Sequence, residues 1–149
     1  MPAGELTFVD TNVVLYTVDP GEARKREAAI HWLDWLWPRG AGRISWQVLN
    51  EFYSNMVGKF QVPKREARAR VEVLAQWQPV GFGLGLLQRG WYWNDRAGLP
   101  YWDGLIVASA ESAGCRYLLS EDFQDGQRFG EVTVVNPFRK RPEDIGLKV

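Results

Sequence analysis

Three acidic residues, Asp10, Glu51 and Asp103, lie inside otherwise apolar segments, which is an unusual place for a negative charge. A fourth acidic position, Glu121 or Asp122, comes directly after the apolar run "RYLL" and Ser120. An unpaired carboxylate in a core is costly, so each must lie at the open end of a buried element or meet a compensating group. Two carboxylates about 5 Å apart repel by about 3 kcal/mol at an effective dielectric of about 20. If the four converge, they must therefore bind protons or hold a cation.

Oxygen ligands of this kind favour Mg²⁺ or Mn²⁺, which are hard cations. A zinc site of nitrogen and sulfur ligands is excluded, because the chain has one histidine, His31, and one cysteine, Cys115. We expect His31 at the surface. We expect Cys115 to be a buried thiol without a histidine that could activate it.

The elements that would position the acids alternate between short apolar strands and helices. Strands are predicted at 6–9, 43–45, 79–83, 116–120 and 131–137. Helices are predicted at 12–18, 22–37, 46–60, 63–77 and 86–98, and from Tyr101 to a stop at Gly114. Ser45 is a plausible N-cap for the third of these helices. The alternation indicates an α/β fold with a mainly parallel sheet.

Sites in parallel sheets form beyond the carboxyl ends of the strands. Asp10 directly follows the first predicted strand, and the run Ser120, Glu121, Asp122 follows a later one. Glu51 and Asp103 lie in helices among residues of the predicted core. We therefore predict that the four carboxylates converge at one edge of the sheet.

Each acid also has a simpler interpretation. Asp10 is well placed to cap the helix that follows it, and Asp103 to complement the dipole in the first turn of its helix. Glu51 could face solvent, and Asp122 could be an ordinary loop residue.

Composition excludes several classes of protein. The 149 residues suit one domain, and the 18 basic and 18 acidic residues leave no net charge that would indicate a partner. One cysteine excludes an internal disulfide framework and favours the cytoplasm. We see no signal peptide and no run of about 18 apolar residues, so we expect no membrane-spanning segment.

The segments "FVDTNVVLY", "SWQVLNEFY", "PYWDGLIVASAESAGCRYLLSEDF" and "VTVVNPF" resemble, in order and spacing, those of the PIN-domain nucleases, especially the VapC-type toxin branch. The resemblance spans about residues 6–138 of one domain, 1–149, and leaves a tail at 139–149. It implies a three-layer α/β/α sandwich with a short, mainly parallel central sheet.

The resemblance also implies roles for individual residues. The family places catalytic, metal-binding acids after the first strand, in an early helix, at the start of a later helix and after the next strand, which are here Asp10, Glu51, Asp103 and Asp122. Asp125 is the alternative for the fourth acid. Thr11, Asn12 and Ser120 match the polar residues that orient these carboxylates.

The implied activity is Mg²⁺- or Mn²⁺-dependent hydrolysis of RNA phosphodiester bonds by the toxin of a type II toxin–antitoxin pair. The implied partners are RNA, an antitoxin protein and a second copy of the chain. Basic clusters that could contact RNA phosphates are Arg24 to Arg26, Lys64 to Arg70, Arg89 with Arg96, and Arg139 to Arg141. Trp91, Tyr92, Trp93 and Tyr101 could stack on bases or form a dimer interface.

Three other functions compete with this one. A haloacid-dehalogenase-like phosphatase needs a second Asp two residues after the first, where this chain has Asn12. A receiver domain needs a paired acid near the start and a late lysine, and neither is evident. A non-catalytic PIN-like module that binds RNA or protein would keep the fold without the chemistry.

Overall fold

A computed structural model describes residues 5–145 and places their strands in a five-stranded sheet. The strands are β1 (Thr7–Val9), β2 (Gly42–Arg43), β3 (Tyr117–Leu119), β4 (Arg128–Phe129) and β5 (Val132–Val135), in the spatial order β2-β1-β3-β5-β4. All neighbouring pairs are parallel except β4 and β5. The carboxyl ends of β2, β1, β3 and β5 therefore share one edge of the sheet.

Helices cover both faces of this sheet. They are α1 (Thr11–Tyr16), α2 (Ala23–Leu36), α3 (Trp46–Gly58), α4 (Lys64–Leu74), α5 (Leu84–Ala97) and α6 (Tyr101–Ser112), with 3₁₀ turns at Ala75–Trp77 and Pro142–Ile145. Phe8 and Val9 point to opposite faces of β1, and both are fully buried, as a covered parallel sheet requires. The predicted α/β/α sandwich with a short, mainly parallel sheet is confirmed. None of the helices within residues 5–145 is long and apolar enough to cross a membrane.

The starts of α3 and α6 place two of the acidic residues. The Ser45 hydroxyl accepts a hydrogen bond from the Val48 amide at 3.2 Å, so the predicted cap of α3 is confirmed. Helix α6 is buried along 104–110, and its first turn, which contains Asp103, emerges from that core. A Cβ added at Gly104 would lie 2.8 Å from the Gly90 carbonyl oxygen, so the backbones of α5 and α6 are in close contact there.

Two features differ from the sequence-based predictions. The strand predicted at 79–83 is wrong: Val80 alone forms a bridge, to Ser45, and the residues after it are exposed. Gly81 and Gly83 carry no side chain that could bury against the core, which weakens a strand. Strand β4 was not predicted, because a two-residue strand is too short to show a hydrophobic period.

Candidate active site

Asp10 lies at the carboxyl end of β1 and begins α1. Its Oδ1 accepts a hydrogen bond from the Thr11 amide at 2.7 Å, which caps the helix. Its Oδ2 accepts from the Ser120 hydroxyl at 2.8 Å and from Asn12 Nδ2 at 3.3 Å. The interpretation of Asp10 as a helix N-cap is therefore correct for Oδ1. Oδ2 instead accepts hydrogen bonds from the side chains of Ser120 and Asn12.

Asp10 is only 5% exposed, and this burial has the largest effect on the pKa of its carboxyl group. Burial raises the pKa of this carboxyl from 3.8 to about 7, although hydrogen bonds from Ser120 and Thr11 lower it. The negative charges of Asp122 and Glu51 make a smaller contribution to this raised pKa. At neutral pH the group is consequently divided between its protonated and charged forms, and a nearby cation would favour the charged form.

Asn12 connects Asp10 to the loop that follows β3. Its Nδ2 lies 2.9 Å from Asp122 Oδ2 and 3.2 Å from Ser120 Oγ, in addition to its contact with Asp10. Its Oδ1 accepts from the Glu121 amide at 3.3 Å. The Asp122 amide in turn donates to Ser120 Oγ at 3.1 Å. One carboxamide therefore joins two acids that are 112 positions apart in the chain.

Glu51 and Asp103 approach the same place from two helices. The Thr11 hydroxyl donates to Glu51 Oε1 at 2.7 Å, so the exposed Glu51 is attached to the start of α1. Asp103 is half-buried, and burial raises the pKa of its carboxyl. The charges of Asp122 and Glu51 raise that pKa further, which places all three carboxylates within electrostatic reach of one another.

The two neighbouring acids of the β3 loop have other partners. Asp125 accepts from the Asn136 amide at 2.8 Å and forms an ion pair with Lys140 at 3.0 Å. Burial raises the pKa of Asp125, but those contacts lower it more. Glu121 pairs with Lys25 at 2.9 Å and accepts a hydrogen bond from the Tyr16 hydroxyl. In the described structure, Asp122 alone of these three carboxylates contacts Asn12.

The cations that the sequence offered for RNA binding are partly used inside the protein. Lys25 pairs with Glu121, and the hydrogen bond to that carboxylate raises the lysine pKa to about 12. Arg89 forms two hydrogen bonds with Glu111, at 2.9 and 3.0 Å. No local sequence pattern indicated these pairs, since the partners are far apart in the chain.

His31 and Cys115 have the environments that we expected. His31 lies at the surface, where its Nε2 is 2.8 Å from a carboxylate oxygen of Glu143. Cys115 is buried, and burial raises the pKa of its thiol to about 12, so it is not a nucleophile at neutral pH.

The side-chain oxygens around Asp10 belong to carboxylates and hydroxyls, which suit Mg²⁺ or Mn²⁺. Within residues 5–145, no three acidic, histidine or cysteine side chains are grouped closely enough to form a complete ligand set. Mg²⁺ keeps several waters and is commonly held by one or two carboxylates. The chemistry of the donors therefore fits such an ion, with water completing its coordination.

Comparisons with known proteins agree with this fold. The sequence model of the PIN domain family matches residues 7–128, a range that includes all four acids. A solved structure, "Toxin-antitoxin complex from Klebsiella pneumoniae", contains a chain that matches this one with a TM-score of 0.65 and 18% sequence identity. The match covers 88% of this chain and 97% of that chain, and at this identity it shows the fold alone. A search of curated proteins found no match.

Proposed function

Because this chain belongs to the PIN domain family, whose members are generally nucleases, we propose that it is an endoribonuclease dependent on Mg²⁺ or Mn²⁺. The observation that carries the proposal is the contact of Asn12 with both Asp10 and Asp122, beside Glu51 on Thr11. Such an arrangement of charges is unfavourable in the free protein. A divalent cation would compensate these charges and would attract the negatively charged phosphate of RNA.

In this proposal Asp10 and Asp103 are the principal ligands, and Glu51 and Asp122 complete the acidic site. A bound ion would lower the pKa of a water molecule that it coordinates and would neutralise charge on the phosphate. Ser120 fixes Asp10 by donating to Oδ2, and Thr11 keeps Glu51 beside α1. Orienting contacts of this kind increase the affinity for metal, because they hold the ligands in place before the ion binds.

We further propose that the chain is one nuclease domain that acts in the cytoplasm as the toxin of a toxin–antitoxin pair. The likeness to a chain in a toxin–antitoxin complex supports this proposal, as does the resemblance to the VapC-type branch. An antitoxin protein and a second copy of the chain are the proposed protein partners. Production of the chain in bacteria tests the toxin assignment: the chain alone should arrest growth, and a protein that is harmless when produced alone would contradict the assignment.

The main rival is a PIN-like module that binds RNA or protein without cutting RNA. The phosphatase interpretation is less compatible with the site, because the side chain of Asn12 is a hydrogen-bond donor to Asp10 where that class needs an acid. A measurement of RNA cleavage distinguishes this non-catalytic module from a nuclease.

Our first prediction is that labelled RNA is cut with Mn²⁺ or Mg²⁺ and remains intact with a chelator. Asp103→Asn should lower the rate by about 100-fold, because loss of even a supporting residue typically costs 10- to 100-fold. Asp95→Asn, at an exposed acid of α5, is the matched control and should cut normally. RNA that is bound but remains uncut with either metal would identify the non-catalytic module.

The second prediction separates the two candidates for the fourth acid. Asp122→Asn should slow cutting by about 10-fold, because Asn12 holds that carboxylate beside Asp10. Asp125→Asn should cut normally and lose about 1 kcal/mol of unfolding free energy, because asparagine keeps an acceptor for the Asn136 amide and loses only the partly exposed ion pair with Lys140. Initial rates and urea unfolding of both variants measure this. The reverse ranking of the two rates would reassign the site to Asp125.

A further inference from the structure

Two ion pairs attach the loop after β3 to other parts of the molecule. Glu121 pairs with Lys25 of α2 at 2.9 Å, and Asp125 pairs with Lys140 at 3.0 Å. The exposed fractions of the side chains are similar, 36% and 22% for the first pair and 41% and 18% for the second. The two pairs differ in what surrounds them, and the difference indicates a role for the first.

The first pair belongs to a group of three side chains, Tyr16, Lys25 and Glu121, which we call the brace. The two carboxylate oxygens of Glu121 accept hydrogen bonds from the Tyr16 hydroxyl and from Lys25 Nζ. Lys25 Nζ also lies 3.3 Å from the Tyr16 hydroxyl and 5.0 Å from the centre of its ring. The Phe138 ring, 5.3 Å from the same nitrogen, packs edge-on against Tyr16. Glu121 is thus attached to α1 and α2 together.

The brace reaches the acidic site through the backbone of Glu121. The Glu121 amide donates to Asn12 Oδ1, and a carboxamide has only one acceptor end. With Oδ1 occupied in this way, Nδ2 is directed at Asp10 and Asp122. The orientation of the residue that joins the two acids therefore depends on where Glu121 is held.

We propose that Tyr16, Lys25 and Glu121 are positioning residues that orient Asn12 and Asp122 for metal binding and RNA cleavage. This inference rests on the proposed function for its catalytic part. It assigns Lys25 to the support of the site rather than to contact with RNA, and it assigns Glu121 to the brace rather than to the metal ligands. The Lys140–Asp125 pair lacks a comparable connection, because Asp125 contacts the Asn136 amide and not Asn12.

The test compares Lys25→Met with Lys25→Arg and with the matched control Lys140→Met, all in the full chain. Lys25→Met should weaken Mn²⁺ binding in calorimetry by about 10-fold and lower kcat by a similar factor, with KM for RNA nearly unchanged. Lys25→Arg keeps the charge and should recover most of both values. Lys140→Met removes a similarly exposed ion pair and should leave the Mn²⁺ affinity and kcat unchanged, while any contact of its basic cluster with RNA would change only KM.

A readout without metal or RNA makes the inference independent of the proposed function. The side-chain amide protons of Asn12 in metal-free protein should shift toward those of a solvated asparagine in Lys25→Met, but not in Lys140→Met. Glu121→Gln serves if Lys25→Met does not fold, and it should produce the same shift. If the variants show this pattern while the wild-type protein neither binds Mn²⁺ nor cuts RNA, the proposed function is contradicted and the brace is still supported.

Three results would overturn the brace. One is an Asn12 side-chain signal that is the same in Lys25→Met and the wild type. Another is a higher KM for RNA with unchanged Mn²⁺ affinity, which would mean that Lys25 contacts RNA. The third is full recovery in the double variant Lys25→Met, Glu121→Gln, which would mean that the lysine acts by compensating charge and does not position the loop.

Discussion

Replacing Asp10 with asparagine is expected to abolish RNA cleavage and also to remove a pH-dependent loss of stability from the metal-free protein. The variant loses the most buried carboxylate of the acidic site, so the cutting rate should fall by more than about 100-fold. The stability effect has the same origin. A buried, charged carboxylate without a cation beside it lowers the free energy of unfolding.

The sign of the pH dependence follows from the raised pKa of Asp10. The carboxyl titrates near 3.8 in the unfolded chain and at about 7 in the folded protein. Its contribution to stability is therefore fully present below about pH 4 and is lost as pH rises through 7. At about 1.4 kcal/mol for each pKa unit, the loss is at most about 4 kcal/mol. Asp103, whose pKa is also raised by burial, contributes in the same direction.

Urea unfolding of both proteins at pH 4 and pH 8, without metal, measures the effect. The wild type should lose more unfolding free energy over this interval than Asp10→Asn, and Mn²⁺ at pH 8 should stabilise only the wild type. Asp125→Asn is the control, because the lowered pKa of Asp125 places its pH dependence below the ordinary value of 3.8, so this variant should keep nearly the wild-type slope between pH 4 and pH 8. Equal pH slopes for the wild type and Asp10→Asn would show that Asp10 is not a strained, buried acid.

Gly104→Ala is expected to destabilise the protein and to impair the site at the same time. The new Cβ would lie 2.8 Å from the Gly90 carbonyl oxygen, a backbone atom that cannot rotate away. Overpacking of this kind costs about 1–3 kcal/mol. Helix α6 must move away from α5, and Asp103, the preceding residue, must move with it. We therefore expect a lower melting temperature and slower RNA cutting in the variant that remains folded.

Gly85→Ala is the matched control for this prediction. Gly85 lies in α5, and an added Cβ would meet nothing within 4 Å. Because alanine is favoured over glycine in helices by up to about 1 kcal/mol, this variant should be as stable as the wild type or more stable. Thermal unfolding and initial rates of both variants decide the matter, and a Gly104→Ala protein with wild-type stability would contradict the close contact of the helices.

The sequence alone determined the class of fold and the order of its elements. Apolar runs, caps and stop signals act between residues close in the chain, so β1, the cap at Ser45 and the helix that begins at Tyr101 could be predicted. The resemblance to the PIN family, which depends on the order and spacing of such segments, is confirmed by the match over residues 7–128. The prediction of a strand at 79–83 is wrong, because Gly81 and Gly83 provide no side chains that could pack against the core.

Only the tertiary structure shows which group each acid of the β3 loop contacts. The family resemblance already favoured Asp122 over Asp125, but the contact of Asp122 with Asn12 depends on the pairing of β1 with β3, in which Val9 lies beside Leu119. The same fold brings Glu121 within 2.9 Å of Lys25, which lies in a helix almost 100 positions earlier in the chain. Contacts of this kind depend on strand register and helix packing, which no local pattern encodes.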